Sequence, residues 1–144
     1  MSNVTETTLE ELIEGFELLD DWESRFGYLL DLGKKLPPMD PADQTEANRV
    51  HGCQATVWMV GRFEGDPPRL NISAASDAHI VNGLIAILMI LYNGRTAEEA
   101  AKLDPKPILA KLDLEEHLSP TRRNGLHAMV KRIRELSAQE KTDA

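Results

Sequence analysis

The sequence predicts an α+β fold, a small antiparallel sheet of about three strands with helices packed on it. Three observations carry this expectation. Apolar residues recur at helical spacing up to Gly33 and again from Ile80 onward. Between Asn48 and Ala74 they alternate instead, with turn chemistry in the middle. The order is therefore helices, strands, helices, without the strand–helix–strand repetition that builds a parallel sheet.

Thr8 followed by Glu11 is a capping-box pattern, and Leu9, Leu12, Ile13 and Phe16 repeat behind it, so a first helix begins near Thr8. A second runs from Asp20 or Asp21 with Trp22, Phe26, Leu29 and Leu30 on one stripe, and Gly33 is placed to end it before Leu36-Pro37-Pro38. Residues 34–46 form a connector, and Asn48 to Val50 are the candidate third strand. Ala55, Val57, Met59 and Phe63 alternate with Thr56, Trp58, Val60 and Arg62, and Leu70, Ile72 and Ala74 alternate with Arg69, Asn71 and Ser73. Gly65-Asp66-Pro67-Pro68 between them makes the pair an antiparallel hairpin, with Trp58 expected in the core.

Ser76 is placed to cap a helix that starts Asp77-Ala78-His79-Ile80 and is apolar nearly all round from Leu84 to Leu91, as a central core helix should be. Asn93-Gly94 closes it, and Thr96 with Glu99 opens a short helix. Asp104-Pro105 and Pro107 punctuate before Ile108 to Leu112. Ser119-Pro120 begins the last helix, on which Leu126, Met129, Val130 and Ile133 share a face.

The chain of 144 residues reads as one domain, with a core of about residues 8–138 and mobile ends at Met1 to Glu6 and Gln139 to Ala144. Its 16 Lys and Arg against 24 Asp and Glu give a net charge of −8, which disfavours nucleic acid as a partner. Its single cysteine forms neither an intramolecular disulfide nor a multi-thiolate metal site, which fits a reducing compartment. The N-terminus has no basic and apolar segments of a secretory signal, and the apolar stretch Ile80 to Tyr92 falls short of the ~20 residues that span a bilayer. A cytoplasmic protein without membrane contact is expected.

Cys53 stands in Val50-His51-Gly52-Cys53-Gln54, where the connector meets the main strand. A thiol on a loop beside a glycine suits chemistry, and a protonated His51 nearby would raise its thiolate fraction. Free cysteine is also among the most often buried residue types, and on these residues alone the inert, buried reading leads. A lone His-x-Cys pair lacks the further ligands that zinc takes.

A wider set of segments resembles the SufE family of sulfur acceptors. They are Trp22-Glu23, Leu32-Gly33 and Leu36-Pro37, then Gly52-Cys53-Gln54 with Val57-Trp58, then Ser76-Asp77-Ala78, Ile80-Val81 and Gly83-Leu84-Ile85-Ala86. Leu91-Tyr92, His117-Leu118-Ser119-Pro120, Arg122 and Gly125-Leu126 follow in order. The resemblance implies a SufE/NifU-like α+β fold with the reactive cysteine at a loop tip and no cofactor of its own. It implies a PLP-dependent cysteine desulfurase, SufS-like, as partner, with Cys53 taking a persulfide and passing the sulfur to a cluster scaffold or another acceptor. A monomer or weak homodimer is expected.

Around Cys53, His51, Gly52, Gln54, Asp77 and Arg122 are the expected loop and partner contacts. For Asp77 a place beside the cysteine loop competes with a plain role as first-turn acid of a helix. For Arg122 a contact with the partner or the loop competes with a solvated helix start. The role of His51 comes from its position and not from the family, and Ala55 departs from the small hydroxyl residue common there. His117 is expected to fix the loop before the last helix by a hydrogen bond. Three functions compete: sulfur transfer to cluster assembly or to a sister pathway such as tRNA modification, a cluster scaffold, which one cysteine makes improbable, and an interaction domain with an inert thiol.

Overall fold

A computed structural model of the protein describes residues 8–52 and 55–143. The elements run α1 (Leu9–Glu17), α2 (Trp22–Lys34), β1 (Val57–Glu64), β2 (Arg69–Ser76), α3 (His79–Tyr92), α4 (Ala97–Lys102), α5 (Lys106–Lys111), α6 (Leu114–His117) and α7 (Pro120–Asp143). Local chemistry starts the helices as expected. The Thr8 hydroxyl accepts from the Glu11 amide at 3.1 Å, and Thr96 and Glu99 close a full capping box on α4. Asp21 accepts from the Ser24 amide at 2.7 Å, a bond that holds its carboxyl below the usual carboxylate range.

The helix α3 is the hub of the core. From Val81 to Leu91 nearly every side chain is buried, and Tyr92 at its end is fully enclosed. Each large apolar side chain so buried contributes roughly 1.5–3 kcal/mol relative to exposure. Val57, Met59, Leu70, Ile72 and Ala74, on the inward face of the β1–β2 hairpin, join the same cluster, as do Leu126, Met129 and Ile133 of α7. Among the described residues no helix is long and apolar enough to cross a membrane.

Gly33 does not end α2. The helix continues to Lys34, and Gly33 instead marks where α2 crosses α3: a Cβ on it would stand 2.8 Å from the Gly83 backbone nitrogen. Gly83 answers from the other side, since a Cβ there would strike the Leu29 carbonyl. The two glycines let the helix backbones approach more closely than any side chain permits.

Among the described residues the sheet has two strands rather than about three. Asn48 closes a 3-10 turn (Glu46–Asn48), and Gly52 turns the chain away at φ +96°. Too little chain remains between them for a strand, so Arg49 makes only an isolated bridge to Trp58. Trp58 itself is half-buried and stands outside the core cluster, because Val57 and Met59 take the inward positions of β1.

The start of α3 also differs from expectation. Strand β2 runs through Ser76, whose backbone is clasped by the Asn82 side chain, with Ser76 N donating to Asn82 Oδ1 at 2.8 Å and Asn82 Nδ2 donating to the Ser76 carbonyl at 3.1 Å. The helix therefore begins at His79, and Asp77 precedes it instead of occupying its first turn. The short α6 has no counterpart in the sequence reading, and α7 continues to Asp143, beyond the expected limit near residue 138.

Candidate functional site

Cys53 and Gln54 lie outside the described residues, and the candidate site is defined by what holds the chain on either side of them. On the carboxyl side, Thr56 and Asp77 clasp each other: the Thr56 amide donates to Asp77 Oδ1 at 3.1 Å, and the Asp77 amide donates to the Thr56 carbonyl at 3.3 Å. The clasp extends the β1–β2 ladder one step past the Val57–Ser76 pair. On the amino side, Val50 is buried and its amide donates to the Val57 carbonyl at 2.8 Å. The two flanks thus meet at their base.

Beyond Val50 the chain turns through His51 and Gly52. The φ of +96° at Gly52 lies in a region that favours glycine. A Cβ added there would lie 3.4 Å from the Ala128 Cβ of α7, an ordinary contact, so the backbone conformation and not crowding requires the glycine.

The structure divides the expected site residues into two groups. Asp77 and Arg122 come together on the carboxyl flank, where an open hollow is lined by Ala55, Asp77, Ala78, Ser119, Thr121 and Arg122. Arg122 also borders an adjoining apolar crevice with Ala55, Leu84, Gly125 and Met129. Its amide donates to the Ser119 hydroxyl at 3.2 Å, while among the described residues its guanidinium makes no ion pair. Asp77 is already engaged by the Thr56 amide. An anion formed on this flank would therefore meet one uncommitted cation.

His51 stands apart from that pair. Its imidazole is exposed and lies 3.4 Å from Glu46, so the described partner of the ring is a carboxylate on the preceding turn. A groove on this side is lined by Arg49, Val50, His51 and, from α7, Ala128, Lys131, Arg132 and Glu135. His117 belongs to neither group. Its Nδ1 lies 2.9 Å from the Asp113 carbonyl and its ring stacks on Trp22 at 4.5 Å, in keeping with the expected structural hydrogen bond. Among the described residues no cluster of side chains gathers that could hold a metal ion.

Sequence reasoning did not find Thr56, whose contribution is backbone, nor Ala128 and Lys131, which reach the site only through the packing of α7. One signal for the latter was present. Between Pro120 and Arg134 every carboxylate is missing while Arg122, Arg123, Lys131, Arg132 and Arg134 follow one another, in a chain with an acidic balance.

With this geometry in place, comparison with known proteins is informative. The profile of the SufE family, described as the Fe-S metabolism associated domain, matches residues 10–137. An uncharacterized SufE-like protein of Rhizobium etli is 47% identical over 130 residues, covering 89% of this chain and 88% of the relative. A second from Rhizobium meliloti is 43% identical over 130 residues, covering 89% and 93%. The solution structure of a hypothetical protein from Thermus thermophilus superposes with a TM-score of 0.75 at 26% identity, covering 99% of both chains.

Proposed function

The chain belongs to the SufE family, the Fe-S metabolism associated domain, and on that premise we propose that Cys53 accepts sulfur from a PLP-dependent cysteine desulfurase and delivers it to iron–sulfur cluster assembly. One observation carries the reading. The only cysteine of the sequence falls inside the family match, between a Gly52 turn seated on α7 and a Thr56–Asp77 clasp that anchors the start of β1.

The chemistry is thiol–persulfide exchange. The Cys53 thiolate attacks the outer sulfur of the donor's persulfide, and a new sulfur–sulfur bond forms on Cys53 as the donor's own bond breaks. The electron pair returns to the donor's cysteine sulfur, which leaves as a thiolate and takes up a proton; nothing is oxidised or reduced overall. The Thr56–Asp77 clasp and the Gly52 turn fix the two ends of the segment, which lowers the ordering cost of presenting its sulfur to the donor. The Arg122 guanidinium beside Ala55, which forms no ion pair among the described residues, favours the anionic thiolate and the anionic persulfide that follows.

Mass spectrometry after incubation with a cysteine desulfurase and free cysteine tests the proposal. The wild-type chain should gain the mass of one sulfur, and Cys53→Ser should gain none while keeping its melting transition. Sulfur uptake that survives in Cys53→Ser would end it.

A further inference from the structure

We propose that the carboxylate-free stretch of α7 is the surface on which the sulfur donor docks, and that the donor meets it with a patch of carboxylates. The inference rests on the sulfur-transfer reading above. Charge is distributed unevenly along this chain: every charged residue between Glu10 and Glu23 is acidic, and every charged residue between Pro120 and Arg134 is basic, although the net charge is −8.

The basic stretch runs past the described residues on either side of the cysteine segment, Gly52 and Ala55. Gly52, the residue before Cys53, sits over Ala128. Lys131 and Arg132 follow one helical turn later and line the groove beside His51. Arg122, on the other side, lines the hollow next to Ala55. From Arg122 to Lys131 is about 13 Å along the helix.

These cations are poorly neutralised. Among the described residues, Arg122 and Lys131 form no ion pair, and the one hydrogen bond of the Arg132 guanidinium goes to the Ala47 carbonyl at 3.4 Å, with its Nε unpartnered. Of the carboxylates beside the groove and the hollow, Glu46 faces Arg49 at 3.7 Å and His51 at 3.4 Å, Asp77 is held by Thr56, and among the described residues Glu135 forms no ion pair. The strip ends beyond Lys131: the cleft that Lys131 borders with Lys106 and Arg134, floored by Leu109 and Val130, also holds Asp104 and Glu115, the latter 2.6 Å from His127.

Sulfur exchange requires the reacting sulfurs to approach to about 3–3.5 Å. A macromolecular donor must therefore come down on the surface around the ends of the cysteine segment, Gly52 and Ala55. Covering unpaired cations with an uncharged surface leaves them desolvated and uncompensated, so the donor that fits is one that brings anions. A polyphosphate chain is the weaker fit, because the acidic α1–α2 region and the overall charge repel it over longer range, whereas a carboxylate patch acts within the Debye length of about 8 Å.

The test uses the full chain and the desulfurase that loads wild-type Cys53, with inorganic polysulfide as a small donor that needs no docking. Lys131 is exposed, so Lys131→Glu should fold normally. It should raise the concentration for half-maximal loading about fivefold at low ionic strength, Lys131→Gln less, with the differences closing as salt is added. Glu11→Lys, on the acidic face, should match wild type, and polysulfide, an anion itself and so compared at high ionic strength, should load Lys131→Glu at the wild-type rate.

Equal loading of wild type and Lys131→Glu by the desulfurase at every ionic strength would overturn the docking inference and leave the sulfur-transfer reading standing. Slow polysulfide loading of Lys131→Glu would also overturn it, by showing damage to the cysteine segment itself. Salt-sensitive retention of wild type on single-stranded DNA, lost in Lys131→Glu, would assign the strip to nucleic acid instead. Failure of wild type to accept sulfur from any cysteine desulfurase would remove both readings together.

Discussion

On the carboxyl side of Cys53 the chain is tied to the sheet by a reciprocal pair of hydrogen bonds between Thr56 and Asp77, and the next residue is already in β1. On the amino side one hydrogen bond, from the Val50 amide to the Val57 carbonyl, is followed by a turn whose shape comes from a single glycine facing Ala128 of α7. One flank is held by a reciprocal pair of hydrogen bonds that reach across the sequence, the other by a single hydrogen bond at its base and by the backbone conformation of Gly52. A cysteine that must first meet a donor and later an acceptor gains from this difference: the strand sets where the segment begins, and the turn sets how it is presented. The two flanks should therefore fail in different ways when altered.

The larger loss is expected at the turn. Alanine at position 52 must adopt φ +96°, which costs about 1–3 kcal/mol for a residue with a Cβ, although the added carbon meets Ala128 at an ordinary distance. Gly52→Ala should lower the midpoint of chemical denaturation by a corresponding amount, or else relieve the strain by moving the turn and slow sulfur uptake at unchanged stability. Gly52→Asn should be milder, since asparagine tolerates positive φ better. A Gly52→Ala variant with wild-type stability and wild-type uptake would show that the turn is not what presents the cysteine.

A smaller and more local effect is expected at the clasp. Asp77→Ala removes the side-chain acceptor of the Thr56 amide but leaves the backbone bond from the Asp77 amide to the Thr56 carbonyl. The expected cost is about 1 kcal/mol, seen as faster hydrogen exchange at the Thr56 amide while the amides of α3 keep their protection. Asp77→Asn retains an oxygen acceptor and should exchange nearly as slowly as wild type. Unchanged Thr56 exchange in Asp77→Ala would mean that the carboxylate contributes nothing to holding this flank.

Features governed by nearby residues were readable from the sequence. The Thr8 and Asp21 caps, the Thr96–Glu99 box, the Pro120 start and the alternation of β1 and β2 are all encoded within a few positions of where they act. What escaped was decided by distant partners. Gly33 looked like a helix stop because the approach of Gly83, fifty residues on, is invisible locally. For Asp77 the sequence leaves a place beside the cysteine loop and a first-turn acid both open, because its partner Thr56 lies across the sheet. Residue type and a place on a strand put Trp58 in the core, whereas the register gives the inward positions to its neighbours. The brief α6 depends on Asp113, which sits at φ 55° and is paired with Arg25 at 3.1 Å. At the site, Cys53 was found because it is the single cysteine in a stretch of family-like residues, while the part played by α7 needed the packing of Ala128 under Gly52.

The smallest effect is expected at His51, and it separates the two ways the amino flank could assist the chemistry. If the imidazole raised the thiolate fraction of Cys53, removing it would slow alkylation and sulfur uptake in proportion. The ring instead faces Glu46 at 3.4 Å, with 72% of each side chain exposed, and exposed pairs of this kind contribute about 0.5 kcal/mol. His51→Ala should therefore change the rate of Cys53 alkylation by no more than about twofold across the range where histidine titrates, and leave denaturation nearly unmoved. A tenfold slower alkylation near neutral pH, recovering as the pH rises toward that of a free thiol, would instead make His51 the group that activates the cysteine. The amino flank would then contribute chemistry as well as shape.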